Sequence, residues 1–190
     1  MRSGNVKPTR RKLEWVFATL GATACGTGTI KPLPPPGVTV ASITVTSKSF
    51  APNGAIPIDY TCDGKNASPQ LTWSSPPEGT RALTLMLEDP DASGGTFTHW
   101  IVYGLPPETR SIGEAVDPVT LGAKVGANDF PDVRYSGPCP PRAELHRYYF
   151  RIIAVDAPLK LNEGARRAVV DAAMNGHVLG EGALMGNFSH

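Results

Sequence analysis

The stretch His146-Arg147-Tyr148-Tyr149-Phe150-Arg151-Ile152-Ile153-Ala154-Val155-Asp156 decides the fold. Its side chains alternate between two faces, with Tyr148, Phe150, Ile152 and Ala154 on one and Tyr149, Arg151, Ile153 and Val155 on the other. Both faces are largely apolar, so this is a long strand covered on both sides. Working outward, Arg81 to Glu88 repeats the pattern, with Leu83, Leu85 and Leu87 opposite Ala82, Thr84 and Met86. His99 to Gly104 reads as a third strand, stopped by Pro106-Pro107. Val38 to Thr46, Gln70 to Trp73 and Ala183 to Phe188 read as further strands. Residues 111–134 lack periodicity and are expected to form a long surface loop.

One helix is expected near the C-terminus. Asn162 serves as its cap, Glu163 suits its positive end, and Gly176 closes it. Ala165, Val169 and Ala172/Ala173 form its apolar stripe. The chain holds 20 Gly and 19 Pro among 190 residues, which supplies many turns and few long helices. The expectation is a mainly β (α+β) domain, with strands dominating and one or two helices near the C-terminus.

The first 24 residues read as an export signal. Lys7, Arg10, Arg11 and Lys12 make a positive start, and Trp15 to Ala24 is an apolar run shorter than the ~20 residues of a spanning helix. Thr9-Arg10-Arg11-Lys12-Leu13 resembles a twin-arginine signal. Ala22-Thr23-Ala24-Cys25 resembles a lipobox that would leave lipid on Cys25. Residues 25–42 include the stiff spacer Lys31-Pro32-Leu33-Pro34-Pro35-Pro36-Gly37, which suits a body held clear of a membrane. The expected location is therefore periplasmic or lipid-anchored to a bacterial envelope, with membrane contact only through the anchor.

The net charge of +1 is uneven: residues 1–24 carry five basic and one acidic side chain, and residues 25–190 carry 13 basic and 16 acidic. A mildly acidic body without a basic cluster argues against nucleic acid as a partner. Cys62 and Cys139 remain besides Cys25. In an oxidising space this pair suits a disulfide, and in the cytosol it would be two free thiols.

Two segments carry the chemistry. Glu88-Asp89-Pro90-Asp91 precedes His99, and Tyr135-Ser136-Gly137-Pro138-Cys139-Pro140-Pro141 precedes His146 and Tyr148. Each pairs a sharp turn with a histidine at the mouth of an apolar strand. Two imidazoles donate well to phosphate or carboxylate oxygens. Asp89 beside one of them would fix its tautomer and raise its pKa. Gly137 has no Cβ, which leaves its backbone open to an anion. Tyr148 shares a face with His146 and adds a hydroxyl donor. Asp91 is expected to make turn or capping hydrogen bonds.

Asp89, His99 and His146 also have the residue types of a two-histidine, one-carboxylate metal site. Against an enzyme, there is no Gly-x-Ser-x-Gly elbow, His-Glu-x-x-His, Cys-x-x-Cys or Walker loop. The reading is a non-enzymatic binding or regulatory protein without a cofactor. A metal-dependent or weakly hydrolytic enzyme on the same groups, and a protein inhibitor with a vestigial pocket, are its rivals.

Thr61-Cys62-Asp63-Gly64-Lys65-Asn66-Ala67-Ser68-Pro69 with Leu71 and Trp73, then Asp89-Pro90-Asp91-Ala92, His99-Trp100, Gly137-Pro138-Cys139-Pro140-Pro141 and His146-Arg147-Tyr148, resemble the phosphatidylethanolamine-binding protein family. The bacterial Raf-kinase-inhibitor-like branch is the nearest in pattern. The resemblance covers about residues 43–190 and implies two antiparallel sheets with peripheral helices. It implies a small anion pocket for phosphate groups, including phospholipid head groups, lined by Asp89, His99, Gly137, His146 and Tyr148. A regulated protein partner is a further expectation. Gly186-Asn187-Phe188 resembles the closing segment, with Phe188 as its aromatic. The chain departs from the family at Ser93-Gly94-Gly95 and at Arg142-Ala143-Glu144, which adds charge beside the mouth.

Overall fold

The structure is a computed structural model that describes residues 39–190. Cys25 and the expected export signal lie outside the described residues. The described strands are β1 (Ala41–Ser42), β2 (Val45–Thr46), β3 (Leu71–Trp73), β4 (Ala82–Asp89), β5 (Phe97–Leu105), β6 (Ser111–Ile112), β7 (Lys124–Val125), β8 (His146–Val155) and β9 (Val178–Phe188). One α-helix, α1 (Arg167–Met174), precedes β9. The strands form a six-stranded sheet, β1-β9-β8-β4-β5-β7, and a three-stranded sheet, β2-β3-β6. Pairing is antiparallel except between β1 and β9, which run parallel. Among the described residues no helix is long and apolar enough to cross a membrane.

The alternation in β4 and β8 sorts their side chains between two cores. Leu83, Leu85 and Leu87 join Tyr148, Phe150, Ile152 and Ala154 in the larger cluster, between the sheets. Ala82, Met86, Ile153 and Val155 face a second cluster closed by Val170 and Met174 of α1. Every residue of β4 is buried, as expected for a strand covered on both faces.

Three local expectations change. Val38 to Thr46 is not one strand: β1 and β2 belong to different sheets, and the chain crosses between them at Ile43. Gly182 makes that crossing fit, since a Cβ there would sit 1.6 Å from the Ile43 carbonyl oxygen. Residues 111–134 contain β6, a 3₁₀ turn at Pro118–Leu121 capped by Asp117, and β7. The helix begins at Arg167, not beside Asn162. Instead Gly164, in a turn at φ +78°, donates to the Val125 carbonyl, Ala127 donates to the Ala165 carbonyl, and Arg166 pairs with Ala127 in a parallel bridge. This shift rotates the buried stripe to Val170 and Met174 and leaves Val169 49% exposed. Gly176, at φ +81°, follows the helix as expected.

The outer edge of β9 is occupied along its length. Beyond the β1 pairing, Ile43 donates to the Glu181 carbonyl, Asn53 to Met185 and Ile56 to Asn187, and Asn187 donates back to Gly54. The opposite edge of the sheet is the two-residue strand β7.

Candidate anion site

Antiparallel pairing brings the C-terminal end of β4 beside the N-terminal ends of β5 and β8. Leu87 lies opposite both Trp100 and Phe150, and Glu88 opposite Thr98 and Tyr149. Asp89, His99 and His146 thereby meet at one end of the sheet. Between Leu87 and Glu88 the β4–β5 register shifts, leaving His99 without a direct partner. Such a bulge re-aims a side chain. Here His99 lies edge-on to Tyr148, with ring centroids 5.4 Å apart, on the face that alternation alone gives to Trp100.

Tyr148 lies between the two imidazoles, stacked on His146 at 6.5 Å. Asp89, His99, His146 and Tyr148 are all within 4% of fully buried. His146 Nδ1 donates to Asp89 Oδ2 at 2.7 Å, and its Nε2 donates to Glu144 Oε2 at 3.1 Å. Burial works against the charged ring, but the carboxylates of Asp89 and Glu144 outweigh it and raise the His146 pKa. Asp89 also accepts from the Asp91 backbone through Oδ1.

His99 differs. Its Nδ1 lies 3.0 Å from both the Ser136 and Gly137 carbonyl oxygens. Carbonyls only accept, so Nδ1 carries the proton and Nε2 has the free lone pair. Burial is the largest influence and lowers the His99 pKa, despite those carbonyls and Asp89. The two rings are therefore biased in opposite directions, His146 towards the charged donor and His99 towards the neutral acceptor. The Tyr148 hydroxyl is buried and makes no hydrogen bond of good geometry, with the Asp89 carboxylate and the Cys139 backbone as its polar neighbours. Burial first, then the Asp89 charge, hold its pKa far above the ordinary range, so it keeps its proton.

These shifts set a stability prediction. The raised His146 value contributes stability below ~6.5, the unfolded-state value, and loses it as pH rises through the folded value. The lowered His99 value contributes above ~6.5 and is lost as pH falls towards its folded value. Ring-proton NMR titration is expected to give midpoints on opposite sides of that reference, His146 above and His99 below. Two coincident midpoints would contradict the geometry.

Gly137 has a place other than the one expected. A Cβ there would lie 2.2 Å from the Tyr60 carbonyl oxygen, so the glycine allows close packing of its own chain. Its N–H donates to Asn66 Oδ1 at 2.7 Å and is not open to an anion. Its contribution to the cluster is its carbonyl, held against His99. The Cys62–Cys139 disulfide is formed. Cys62 donates to the Pro138 carbonyl, and the Tyr135 hydroxyl to the Tyr60 carbonyl. Four links therefore fasten residues 60–66 to residues 135–139.

Asn128, Asn66 and Glu144 join the site beyond the residues expected from sequence. Buried Asn128 donates to the His99 carbonyl and to Ser136 Oγ, while its Oδ1 accepts from Phe130 and Asp132. Its only signal in sequence is a polar residue in an aperiodic stretch. Asp91 does cap β8: it accepts from the Arg147 backbone and guanidinium, and these hydrogen bonds lower its pKa to about 2. Phe188 lies opposite His146 on β9, against the larger core.

Asp89, His99 and His146 do not converge as three metal ligands, because Asp89 and His146 satisfy one another. Among the described residues the cluster that brings three ligand atoms within 4.8 Å of one another is Cys62, Cys139 and His190. An open cleft of about 390 Å³, lined by Thr96, Thr98, Asp129, Arg166, Arg167, Ala168 and Asp171, contains none of the expected anion-site residues.

The phosphatidylethanolamine-binding protein family model matches residues 46–189. The chain belongs to the phosphatidylethanolamine-binding protein family. A UPF0098 protein of Aquifex aeolicus is 45% identical over 150 residues, covering 77% of this chain and 88% of the relative. The protein described as "Putative lipoprotein LppC" of Mycobacterium tuberculosis is 35% identical over 154 residues, covering 80% and 75%. The crystal structure of Escherichia coli YbcL, described as a member of the mammalian PEBP family, superposes with a TM-score of 0.73 at 26% identity, covering 79% of this chain and 99% of that one. Family members are in general binding proteins, and the two-sheet fold is the family's.

Proposed function

We propose that this domain is a non-catalytic binder of small phosphate-bearing anions, such as free phosphate esters or phospholipid head groups, acting outside the cytoplasm. The observation that carries this reading is the Tyr148 hydroxyl, a buried donor with no hydrogen bond of good geometry, set between an imidazole biased towards its charged form and one biased towards its neutral form. A phosphate oxygen supplies the missing acceptor, and His146 Nε2–H supplies a second donor. His99 Nε2 accepts the proton of a monoanionic phosphate. The export-like leader, the Pro-rich spacer and the lipoprotein relative support an envelope location.

Glu144 already bonds the His146 donor and is 58% exposed. In this reading its carboxylate stands where a ligand oxygen would, and must swing aside for entry. The left-handed backbone of Ala143, at φ +66°, places it there. Glu144→Gln is expected to tighten phosphate binding about threefold to tenfold, since the competing bond is worth ~1 kcal/mol after solvent screening.

Titration calorimetry with inorganic phosphate and flotation with phosphatidylethanolamine vesicles test the proposal together. Binding is expected to weaken for Tyr148→Phe and as pH rises through the raised His146 value. Binding of phosphate alone would assign the site to free esters, and binding of vesicles alone to a head group. Neither binding, in wild type and in Glu144→Gln, would overturn it.

A further inference from the structure

A second cluster lies at the disulfide. Cys62 Sγ, Cys139 Sγ and an imidazole nitrogen of His190 are within 4.8 Å of one another, and both cysteines are exposed. His190 Nδ1 donates to Asp63 Oδ2 at 2.7 Å, which leaves Nε2 with the free lone pair. This carboxylate–imidazole arrangement is the one that orients histidine ligands in metal sites. The ring is also fixed edge-on against Phe188 at 5.7 Å, so its side chain is only 15% exposed. Asp63 is held in turn by its backbone bond to Thr61 Oγ1.

We propose that Cys62, Cys139 and His190 form a Zn²⁺ site when their disulfide is reduced. Zn²⁺ is borderline-soft and takes thiolate and imidazole ligands in tetrahedral geometry. Two thiolates on one Zn²⁺ sit ~3.8 Å apart, from bonds of ~2.3 Å. The cysteine Cα atoms are 5.5 Å apart, a span that side-chain rotation accommodates. Two sulfurs and one nitrogen leave a fourth position for water. The oxidised pair has no thiolate to offer, so the site exists in one redox state only.

The chemistry balances. A dithiol attacks one exposed sulfur as its thiolate, and its second thiol then resolves the mixed disulfide. The dithiol leaves as a disulfide, having passed two electrons and two protons to Cys62 and Cys139. Zn²⁺ then displaces both thiol protons. The metal replaces the covalent link between residues 62 and 139, and so keeps the Gly137 carbonyl against His99.

The test uses the full chain carrying Cys25→Ser, reduced by a phosphine and freed of it anaerobically. Co²⁺ is titrated first as a coloured stand-in, then displaced by Zn²⁺. Expected are one equivalent bound with a thiolate-to-cobalt charge-transfer band, no such band in the oxidised chain, and a higher melting temperature with Zn²⁺. His190→Ala is expected to weaken binding more than tenfold, and Asp63→Asn about tenfold. Absence of the band in the reduced chain, or equal affinity in His190→Ala, would overturn the assignment. So would a reduced chain that is unfolded and that Zn²⁺ does not refold.

Discussion

Asp89→Ala is expected to destabilise the domain on the order of 3–5 kcal/mol at pH 5, the usual cost of removing one partner of a buried ion pair. Both side chains are about 95% buried, so water screens little of it. Without the carboxylate, burial pulls the His146 pKa down, and the ring loses its proton as pH rises. The loss should therefore be smaller at pH 8 than at pH 5. Asp89→Asn keeps an acceptor for Nδ1–H and should fall between wild type and Asp89→Ala. Urea denaturation at the two pH values checks the sign. A cost under ~1 kcal/mol at pH 5 would mean that His146 is not held charged by Asp89.

The second large effect is at the disulfide. Cys62 and Cys139 are 77 residues apart in sequence. Cys62→Ser/Cys139→Ser is expected to cost ~4 kcal/mol on the loop-entropy account. The same substitution loosens the loop whose Ser136 and Gly137 carbonyls hold His99 Nδ1. The His99 titration midpoint is then expected to rise towards its ordinary value as water reaches the ring. Denaturation measures the first effect and NMR the second. Lost stability with an unmoved His99 midpoint would show that the bond supports the fold but not the site.

The strands that alternate strictly were legible in the sequence. In β4 and β8 both faces are covered, so a period of two sorts their apolar residues directly between the two cores. The convergence of Asp89, His99, His146 and Tyr148 was legible too, because turn-plus-histidine segments open both β5 and β8. The bulge that turns His99 towards Tyr148 was not, since a register shift depends on a neighbouring strand. Val38 to Thr46 alternates like one strand, and only close approach to Gly182 reveals its division between sheets. The helix start is not legible, because Asn162 is a good cap in isolation while residues 164–166 find backbone partners in 125–127. Glu144 reads in the sequence as charge beside the mouth, and its bond to His146 depends on the left-handed turn at Ala143.

Residues 41–43 and 53–56 occupy the rim of β9, and β7 offers only two residues on the far side. A neighbouring molecule therefore meets little unpaired backbone on which to add a strand of its own. Copies crowded together would stay separate, without the sheet extension that seeds fibrils.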